Sequence, residues 1–269
     1  MCGLAGIWCS KGYKYSQINL KLQQMIGELN HRGPDDKGIY IDNQKGIGLA
    51  HRRLSIQDLS KNGYQPMESK SGRYILIFNG EIYNHKRIRK TLQNNGVITS
   101  EWNGESDTET LLASIEAWGL RKSINKFVGM FTFVLLDKYL NSMYLVRDRF
   151  GEKPLYFGVL SNEDNNEYLA FASEISAFRS LFKITSSINK KALNSFLNFG
   201  YIKAPLSISS KLKQLMPGEF LEIKGNKENN CFSKGNIKIN KWFFPKDLFK
   251  DKLKINYSEK EILNKLEKL

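Results

Sequence analysis

The second residue of the chain is a cysteine, and its position gives it chemistry that an internal cysteine lacks. Removal of Met1 would leave Cys2 with both a thiol and a free α-amine, whose pKa is about 7.7–8.0. Such an amine can take the thiol proton directly or through a water molecule, so one residue would supply both nucleophile and base. The alternative is that Cys2 is merely a small apolar residue at the start of a strand. Position alone favours that alternative.

Cys2 opens a series of five short motifs that carry reactive or charged residues. In order they are Cys2–Gly6, His31–Asp35, His51–Ile56, Phe78–Asn84 and Ser106–Glu109. This series resembles the class II glutamine amidotransferases, which are N-terminal nucleophile hydrolases, and the resemblance extends over the first 220 or so residues. Four later segments resemble the asparagine synthetase branch of that family in particular: Arg147–Tyr156, Phe171–Ile175, Tyr201–Pro205 and Met216–Glu219.

The resemblance implies both a reaction and a fold. The Cys2 thiolate would attack the side-chain amide of L-glutamine, release ammonia, and then release glutamate from a γ-glutamyl thioester. The fold would be α+β, a four-layer α/β/β/α sandwich of two mainly antiparallel sheets. No cofactor is expected in this chain. ATP and Mg²⁺ are expected only for a synthetase domain, C-terminal to it, that would use the ammonia to make asparagine.

Two consecutive residues are candidates for stabilising the charge that this attack creates. Donors aimed at the developing oxyanion usually give the largest single catalytic contribution. Asn79 offers a side-chain amide, and Gly80 offers a backbone N–H with no side chain in the way. By resemblance these two residues form the oxyanion hole. An isolated Asn-Gly pair more commonly forms the turn of a hairpin, so this assignment depends on the neighbouring motifs.

The charged ends of a bound glutamine would also need partners. Arg53 matches the family arginine that grips the α-carboxylate in a bidentate fork. Asp107 matches the aspartate that takes the α-ammonium. Taken alone, Arg53 is equally consistent with a surface ion pair, and Asp107 with an extra residue in the first turn of a helix. The resemblance places glutamine-binding groups at Arg53, Leu54, Ser55, Ile56, Gln57, Asn79, Gly80, Glu81 and Asp107.

Other reactive side chains are interpreted as structural. We expect His31–Asp35 to form a turn that lets Arg32 support the site, because the proposed base is already the Cys2 amine. Arg147–Gly151 is interpreted as scaffold or as a wall that faces a partner domain. The remaining cysteines, Cys9 and Cys231, have no His or Cys partners at ligand spacing, so no metal site is expected.

The hydrophobic spacing predicts an α+β domain rather than a βαβ nucleotide fold, because strands come in runs with helices gathered between them. Ser106 is positioned to cap a helix that begins after it. The polar stretch 225–241 predicts a surface loop or an excursion between strands. Strands are predicted at Gly3–Cys9, Gly46–His51, Tyr74–Phe78, Phe127–Asp137, Ser142–Arg147, Lys153–Leu160 and Tyr168–Ser173; helices at Leu20–Asn30, Ser106–Gly119, Glu174–Leu181, Lys190–Phe199 and Tyr257–Leu269.

The chain is strongly basic, with 41 Lys and Arg against 27 Asp and Glu in 269 residues. We interpret this excess as a lysine-rich solvated surface, because no zinc pattern, RNP-like motif or continuous basic tract accompanies it. Neither a nucleic-acid nor a membrane partner is therefore expected. The absence of a secretory signal pattern makes the cytoplasm the default location. A basic binding module without enzymatic activity remains the alternative from a different functional class.

The domain organisation follows from the extent of the resemblance. We expect residues 2–220 to form the glutamine amidotransferase (glutaminase) domain. Residues 221–269 would connect it to a synthetase domain that lies outside this chain. The acceptor of the ammonia is open, since related enzymes amidate sugar or purine precursors, although Arg147–Tyr156 favours the asparagine synthetase branch. A homodimer is left open as well.

Overall fold

The computed structural model describes residues 1–10, 13–96, 102–162, 165–182 and 187–245, together with 258, 261, 263 and 264. The strands are β1 (Gly3–Cys9), β2 (Asp36–Asp42), β3 (Ile47–Arg53), β4 (Met67–Glu68), β5 (Tyr74–Ile82), β6 (Gly129–Asp137), β7 (Ser142–Arg147), β8 (Tyr156–Ser161), β9 (Glu167–Ala172), β10 (Lys213–Gln214), β11 (Glu219–Lys224) and β12 (Ile237–Lys241). The α-helices are α1 (Tyr15–Gly27), α2 (His85–Asn94), α3 (Asp107–Trp118), α4 (Leu120–Lys126) and α5 (Lys190–Phe199).

The strands form two six-stranded sheets. The first sheet has the order β10-β8-β9-β1-β3-β2, and the second has the order β12-β11-β7-β6-β5-β4. The strand pairs within each sheet are antiparallel. Six of the ten neighbouring pairs are consecutive strands (β2/β3, β4/β5, β5/β6, β6/β7, β8/β9 and β11/β12), which suits antiparallel pairing. The strand that follows Cys2 therefore lies in the middle of one sheet, and the strand that contains Asn79 lies near an edge of the other.

The two sheets pack face to face through large apolar side chains. Along each strand, alternate residues point to the same face. Leu4 and Trp8 of β1, together with Ile47 and Leu49 of β3, therefore meet residues of the second sheet such as Ile77. Each of these five side chains is fully buried, and this layer forms the central core of the domain.

Helices cover the two outer faces. The apolar stripe of α1, which includes Leu22 and Met25, packs on the outward side chains of the first sheet. The outer face of the second sheet packs against α2, α3 and α4 through residues such as Leu92, Leu111 and Ile124. The layers are therefore α/β/β/α, and the predicted sandwich of two antiparallel sheets is confirmed.

Several predicted elements differ in detail. Asn79 and Gly80 do not form a hairpin turn: β5 continues through them and pairs with β6 as far as Ile82. The polar stretch 225–241 contains a strand, β12, which is mostly exposed at a sheet edge. Because β11 and β12 both belong to the second sheet, that sheet extends beyond residue 220, and the division of the chain near that position stays a prediction.

The last predicted helix, Tyr257–Leu269, falls mostly outside the described residues. The segment predicted as the helix Glu174–Leu181 forms a short 3-10 helix at Ile175–Phe178. The helix predicted from Ser106 is α3, and the Ser106 side chain accepts a hydrogen bond from the Thr108 N–H as the cap requires. In the described part of the chain, no helix has the length and apolarity that a membrane crossing would require.

Candidate active site

The polar end of the layer between the sheets forms a cleft. The alternation that buries Leu4 and Trp8 also places Cys2 on the inner side of β1. On β3 the same alternation continues from Leu49 through His51 to Arg53. On β5 it runs from Ile77 to Asn79. Cys2, Arg53 and Asn79 all line one cleft, so the core pattern itself brings three distant motifs together.

The Cys2 thiol lies beside the backbone of Leu54. The Leu54 N–H donates to Sγ at 3.4 Å, and Sγ lies 3.7 Å from the Leu54 carbonyl oxygen. Burial raises the pKa of this thiol, and the Leu54 N–H and the positive charge of Arg53 only partly oppose that rise. A thiolate at this position can therefore accept from the Leu54 N–H, whereas the neutral thiol can donate to the Leu54 carbonyl.

Asn79 supplies a buried donor to the same cleft. The side chain is 1% exposed, and its Nδ2 has no hydrogen-bond partner among the residues the structure describes. A buried donor without a partner is costly in a folded protein. The Asn79 amide is therefore positioned to donate to a group that enters the cleft.

Gly80 lies on the free edge of β5. Alternate residues of a strand direct their N–H groups to the same edge, and on this edge the Phe78 N–H donates to Gln65 while the Ile82 N–H donates to Asp107. The Gly80 N–H lies between them and faces the cleft. A Cβ at Gly80 would lie 2.2 Å from the backbone oxygen of Met130, so glycine is required here.

Arg53 is held by backbone carbonyl groups of the loop that follows it. Its Nη1 donates to the Ser60 carbonyl at 2.8 Å, and its Nη2 donates to the Asp58 carbonyl. These bonds use two of the five N–H donors of a guanidinium group. Gly63 allows this arrangement, because a Cβ there would lie 2.0 Å from Nη2. Within the described residues no carboxylate oxygen lies within 4.0 Å of its nitrogens, so the buried cation is available to an anionic ligand.

Asp107 is the first residue of α3 and lines the same cleft as Arg53. Its Oδ2 accepts the Ile82 N–H at 2.8 Å. Burial raises the pKa of Asp107 to about 6, and Glu81 contributes to the rise, against backbone hydrogen bonds that lower it. An ammonium group in the cleft would relieve this penalty. Groups of opposite charge thus line one cleft, which suits a zwitterionic ligand.

The other predicted binding residues are placed around the mouth of the cleft, with one exception. Leu54, Ile56, Gln57 and Glu81 line it, and Gln57 Nε2 donates to Glu81 Oε1 at 2.8 Å. Ser55 does not line the cleft, and its backbone N–H donates to Asp35. The structure therefore brings together the predicted residues Cys2, Arg53, Leu54, Ile56, Gln57, Asn79, Gly80, Glu81 and Asp107.

Comparison with known proteins now identifies the family. The profile of the glutamine amidotransferase domain matches residues 1–233. The chain belongs to the glutamine amidotransferase domain family. The prediction of a glutamine amidotransferase enzyme is thereby confirmed, and the alternative of a non-enzymatic basic binding module is wrong.

The most informative relatives are enzymes much longer than this amidotransferase chain. Asparagine synthetase (glutamine-hydrolyzing) 1 of Bacillus subtilis strain 168 is 33% identical over 241 residues, which are 88% of this chain and 36% of that protein. Asparagine synthetase (glutamine-hydrolyzing) 2 of the same organism is 36% identical over 229 residues, or 83% and 29% of the two chains. This chain thus spans about a third of their length.

A solved structure supports the fold of the amidotransferase domain. The glutamine phosphoribosylpyrophosphate amidotransferase of B. subtilis superimposes with a TM-score of 0.62 over 90% of this chain and 50% of that one. At 19% identity the similarity concerns the fold alone. It agrees with the two-sheet architecture described above.

Residues outside the cleft support the amidotransferase site as the sequence predicted. Arg32 Nε donates to the Cys2 carbonyl at 3.0 Å, and its Nη1 pairs with Glu174 at 2.6 Å. His31 is mostly exposed, and its Nε2 lies 3.1 Å from Glu174 Oε2. Asp148 accepts the backbone N–H groups of Phe150, Gly151, Glu152 and Lys153, as expected of a scaffold.

The two other cysteines of the amidotransferase domain are both buried, Cys9 in the core and Cys231 near Gln44. Burial raises the pKa of Cys9 to about 12, which leaves its thiol protonated and unreactive. Among the described residues, no three His, Cys, Asp or Glu side chains are grouped so that they could hold a metal ion.

Sequence reasoning missed several residues of the cleft. Gln65, Met130 and Lys153 line it, and Lys153 Nζ lies 3.1 Å from Met1 Sδ. His51 lies behind the cleft between the sheets and was considered only as part of a motif. The alternation Ile47, Leu49, His51, Arg53 was the signal that could have placed it on the inner face. Gln65 carries no such signal, because it lies in an irregular loop.

Proposed function

We propose that this domain hydrolyses the side-chain amide of L-glutamine, with Cys2 as the N-terminal nucleophile once Met1 has been removed. The Asn79 amide is the observation that carries the proposal. A buried donor without a partner in the described structure lines the same cleft as a thiol, as an oxyanion hole requires. Gly80 would supply the second donor through its backbone N–H.

Substrate orientation follows from the charges of the cleft. The α-carboxylate of glutamine would bind the free N–H groups of Arg53, and its α-ammonium would bind Asp107. Leu54, Ile56, Gln57 and Glu81 would surround the ligand at the mouth. The side-chain amide would then lie between Cys2 and the donors of Asn79 and Gly80, so that attack occurs within a fixed geometry.

The proton transfers of the reaction involve only the Cys2 thiol, the Cys2 α-amine, the substrate and water. The Cys2 α-amine takes the thiol proton, and the thiolate adds to the amide carbon. The negative oxygen of the tetrahedral intermediate is held by Asn79 and Gly80. Collapse of the intermediate expels ammonia, which receives the proton from the α-ammonium, and leaves a γ-glutamyl thioester on Cys2. Water activated by the same amine then releases glutamate.

A glutaminase assay with Cys2→Ala as the comparison tests this directly. We expect activity from chains whose intact mass shows loss of Met1, and a fall of at least about 10⁴-fold in kcat for Cys2→Ala. A glutamine-like diazoketone should add one adduct, on Cys2. Cys9→Ala is the matched control, because Cys9 is a buried thiol of the core and should leave activity unchanged. Activity with Met1 retained, or an adduct on Cys9 or Cys231, would contradict the mechanism.

We further propose that the ammonia serves a synthetase domain that forms asparagine. The named relatives are asparagine synthetases, and this chain spans 36% and 29% of their lengths. Helix α5 also exposes Leu193, Phe196, Leu197 and Phe199, a patch of the kind that packs against another domain. ATP and Mg²⁺ would act in the synthetase domain rather than among the residues described here.

The acceptor is tested with the full-length protein. Supplied with glutamine, ATP and Mg²⁺, it should form asparagine from aspartate, and Cys2→Ala should restrict it to free ammonia as the nitrogen source. Amidation of a sugar phosphate or of a purine precursor under the same conditions, with no asparagine formed, would assign a different acceptor. A homodimer and a cytoplasmic location stay predictions.

A further inference from the structure

The strand that carries Asn79 lies near the edge of the second sheet, where its neighbour is very short. The register of β4 covers Ile75 and Leu76. Phe78 lies two residues beyond it, so the backbone groups of Phe78 on this edge are satisfied by side chains instead. Gln65 Oε1 accepts the Phe78 N–H at 2.6 Å. The position of Asn79 thus depends on side chains that come from outside its own sheet.

The second of these side chains is His51, which comes from the other sheet. Its Nε2 lies 3.0 Å from the Phe78 carbonyl oxygen, and the side chain is fully buried. A carbonyl oxygen only accepts, so the proton of the ring is on Nε2. Burial lowers the pKa of His51 to about 4, which keeps the ring neutral at physiological pH. The Nδ1 atom has no hydrogen-bond partner in the described structure, so this one bond orients the ring.

The bond acts directly on the residue that follows Phe78. The peptide unit is planar, so fixing the direction of the Phe78 carbonyl also fixes the N and Cα atoms of Asn79. His51 is itself fixed, because its backbone pairs with Leu4 on one side and Gly38 on the other. Leu4 is two residues from Cys2. The His51–Phe78 bond therefore connects the strand of the nucleophile to the strand of the amide donor.

We propose that His51 is a positioning residue of the oxyanion hole, which sets the distance and direction between Asn79 and Cys2 by a hydrogen bond across the two sheets. This proposal rests on the proposed glutamine reaction. Displacement of a catalytic group by about 1 Å can cost about 100-fold in rate. His51 need not touch glutamine to affect the chemical step, and it is not expected to affect binding of the ground state.

Two amide substitutions of His51 separate positioning from mere packing. In His51→Gln the amide reaches about as far from the backbone as Nε2 and can donate to the Phe78 carbonyl. In His51→Asn the same amide is one methylene shorter and cannot. We expect His51→Asn and His51→Leu to lower kcat by about 10–100-fold with KM for glutamine within about twofold, and His51→Gln to stay within about threefold of wild type in kcat.

A binding measurement tests how well the oxyanion is stabilised, without any turnover. Glutamate γ-semialdehyde accepts the Cys2 sulfur at its aldehyde carbon and places the aldehyde oxygen where the oxyanion forms. Its affinity should fall in His51→Asn by the same factor as kcat, whereas the affinity for L-glutamate should not change. Leu49→Ala is the control for packing, since Leu49 is a buried core residue on the same face of β3. It should lower the melting temperature without lowering kcat.

The outcomes distinguish a failure of the positioning role of His51 from a failure of the proposed glutamine hydrolysis. If the wild-type chain neither hydrolyses glutamine nor captures the semialdehyde on Cys2, the proposed function fails, and the role of His51 fails with it. If the wild type does both, equal activity of His51→Asn and wild type overturns the positioning role alone. Equal loss in His51→Gln and His51→Asn, or a loss expressed in KM, also overturns it.

Discussion

The two sides of the cleft are built differently. On the reaction side, Cys2, Asn79 and Gly80 lie on or beside strands, and their positions follow from strand register and from the alternation of inner and outer faces. On the recognition side, Arg53 and Asp107 project from the end of a strand and the start of a helix. Each is held by hydrogen bonds with the backbone of another segment.

This difference predicts which kinetic constant a substitution on each side of the cleft should change. Groups fixed by register cannot move without disturbing a sheet, so the reaction side is preorganised for a charge that appears only in the transition state. The side chains of Arg53 and Asp107 are instead held by a few hydrogen bonds outside the strand register, and these bonds can adjust when a ligand enters. Substitutions on the reaction side should therefore lower kcat, and those on the recognition side should raise KM.

The largest effect within this comparison is expected for Asn79→Ala. Loss of one oxyanion donor lowers kcat by about 10²–10³-fold in other enzymes, and we expect the same here with little change in KM. Steady-state glutaminase kinetics measure both constants. A rise in KM with unchanged kcat would assign Asn79 to substrate recognition and would contradict the division between the two sides of the cleft.

Thr132→Val is the matched control for Asn79. Thr132 pairs with Asn79 across β5 and β6, and its buried Oγ1 also has no hydrogen-bond partner in the described structure. Unlike Asn79, Thr132 does not line the cleft. Replacement of its hydroxyl by a methyl group should therefore leave kcat unchanged. The pair separates a donor that serves the reaction from a polar atom that is merely buried.

Much of this architecture could be predicted from the sequence. Residue-type motifs named nine of the residues that line the cleft, and short apolar runs placed the central strands. The Asn-Gly pair was ambiguous because its local preference is a turn. Pairing with β6 over the whole of β5 overrides that preference, and only a residue without a side chain fits beside Met130.

What could not be predicted depends on contacts between distant segments. β12 lies mostly exposed at a sheet edge and carries only two apolar residues, Ile237 and Ile239, so its short alternation is obscured by the Asn- and Lys-rich sequence around it. Gln65 reaches the backbone of Phe78 from a loop, and no periodicity indicates such a contact. The position of Ser55 outside the cleft likewise depends on its hydrogen bond to Asp35.

A smaller effect is expected for Arg53→Lys, and it should appear in KM rather than in kcat. A lysine cannot donate to the Ser60 and Asp58 carbonyls and also present a two-pronged donor to a carboxylate. We expect KM for glutamine to rise by about 10–100-fold with kcat within about threefold. Arg52→Lys is the control, because Arg52 contacts the Ile26 carbonyl rather than the cleft. An unchanged KM in Arg53→Lys would show that charge alone, rather than the fork, binds the substrate, and equal losses in the two variants would show that the loss is not specific to the cleft.

The smallest effect should appear as a pH dependence of substrate binding. The pKa of Asp107 in the free protein is about 6, so its carboxyl group becomes protonated as pH falls below that value. A neutral carboxyl group attracts the α-ammonium weakly. The Kd of glutamine should therefore be level above about pH 7 and rise up to about tenfold per pH unit below 6.

Binding must be measured apart from turnover, because the Cys2 amine titrates as well. Calorimetry of Cys2→Ala with glutamine between pH 5 and 8 gives Kd without the reaction. In the double variant Cys2→Ala, Asp107→Asn, binding should be weak and level with pH. A pH dependence that persists in the double variant would assign the titration to another group. A level Kd in the single variant would place the ammonium away from Asp107, and the recognition side would then depend on Arg53 alone.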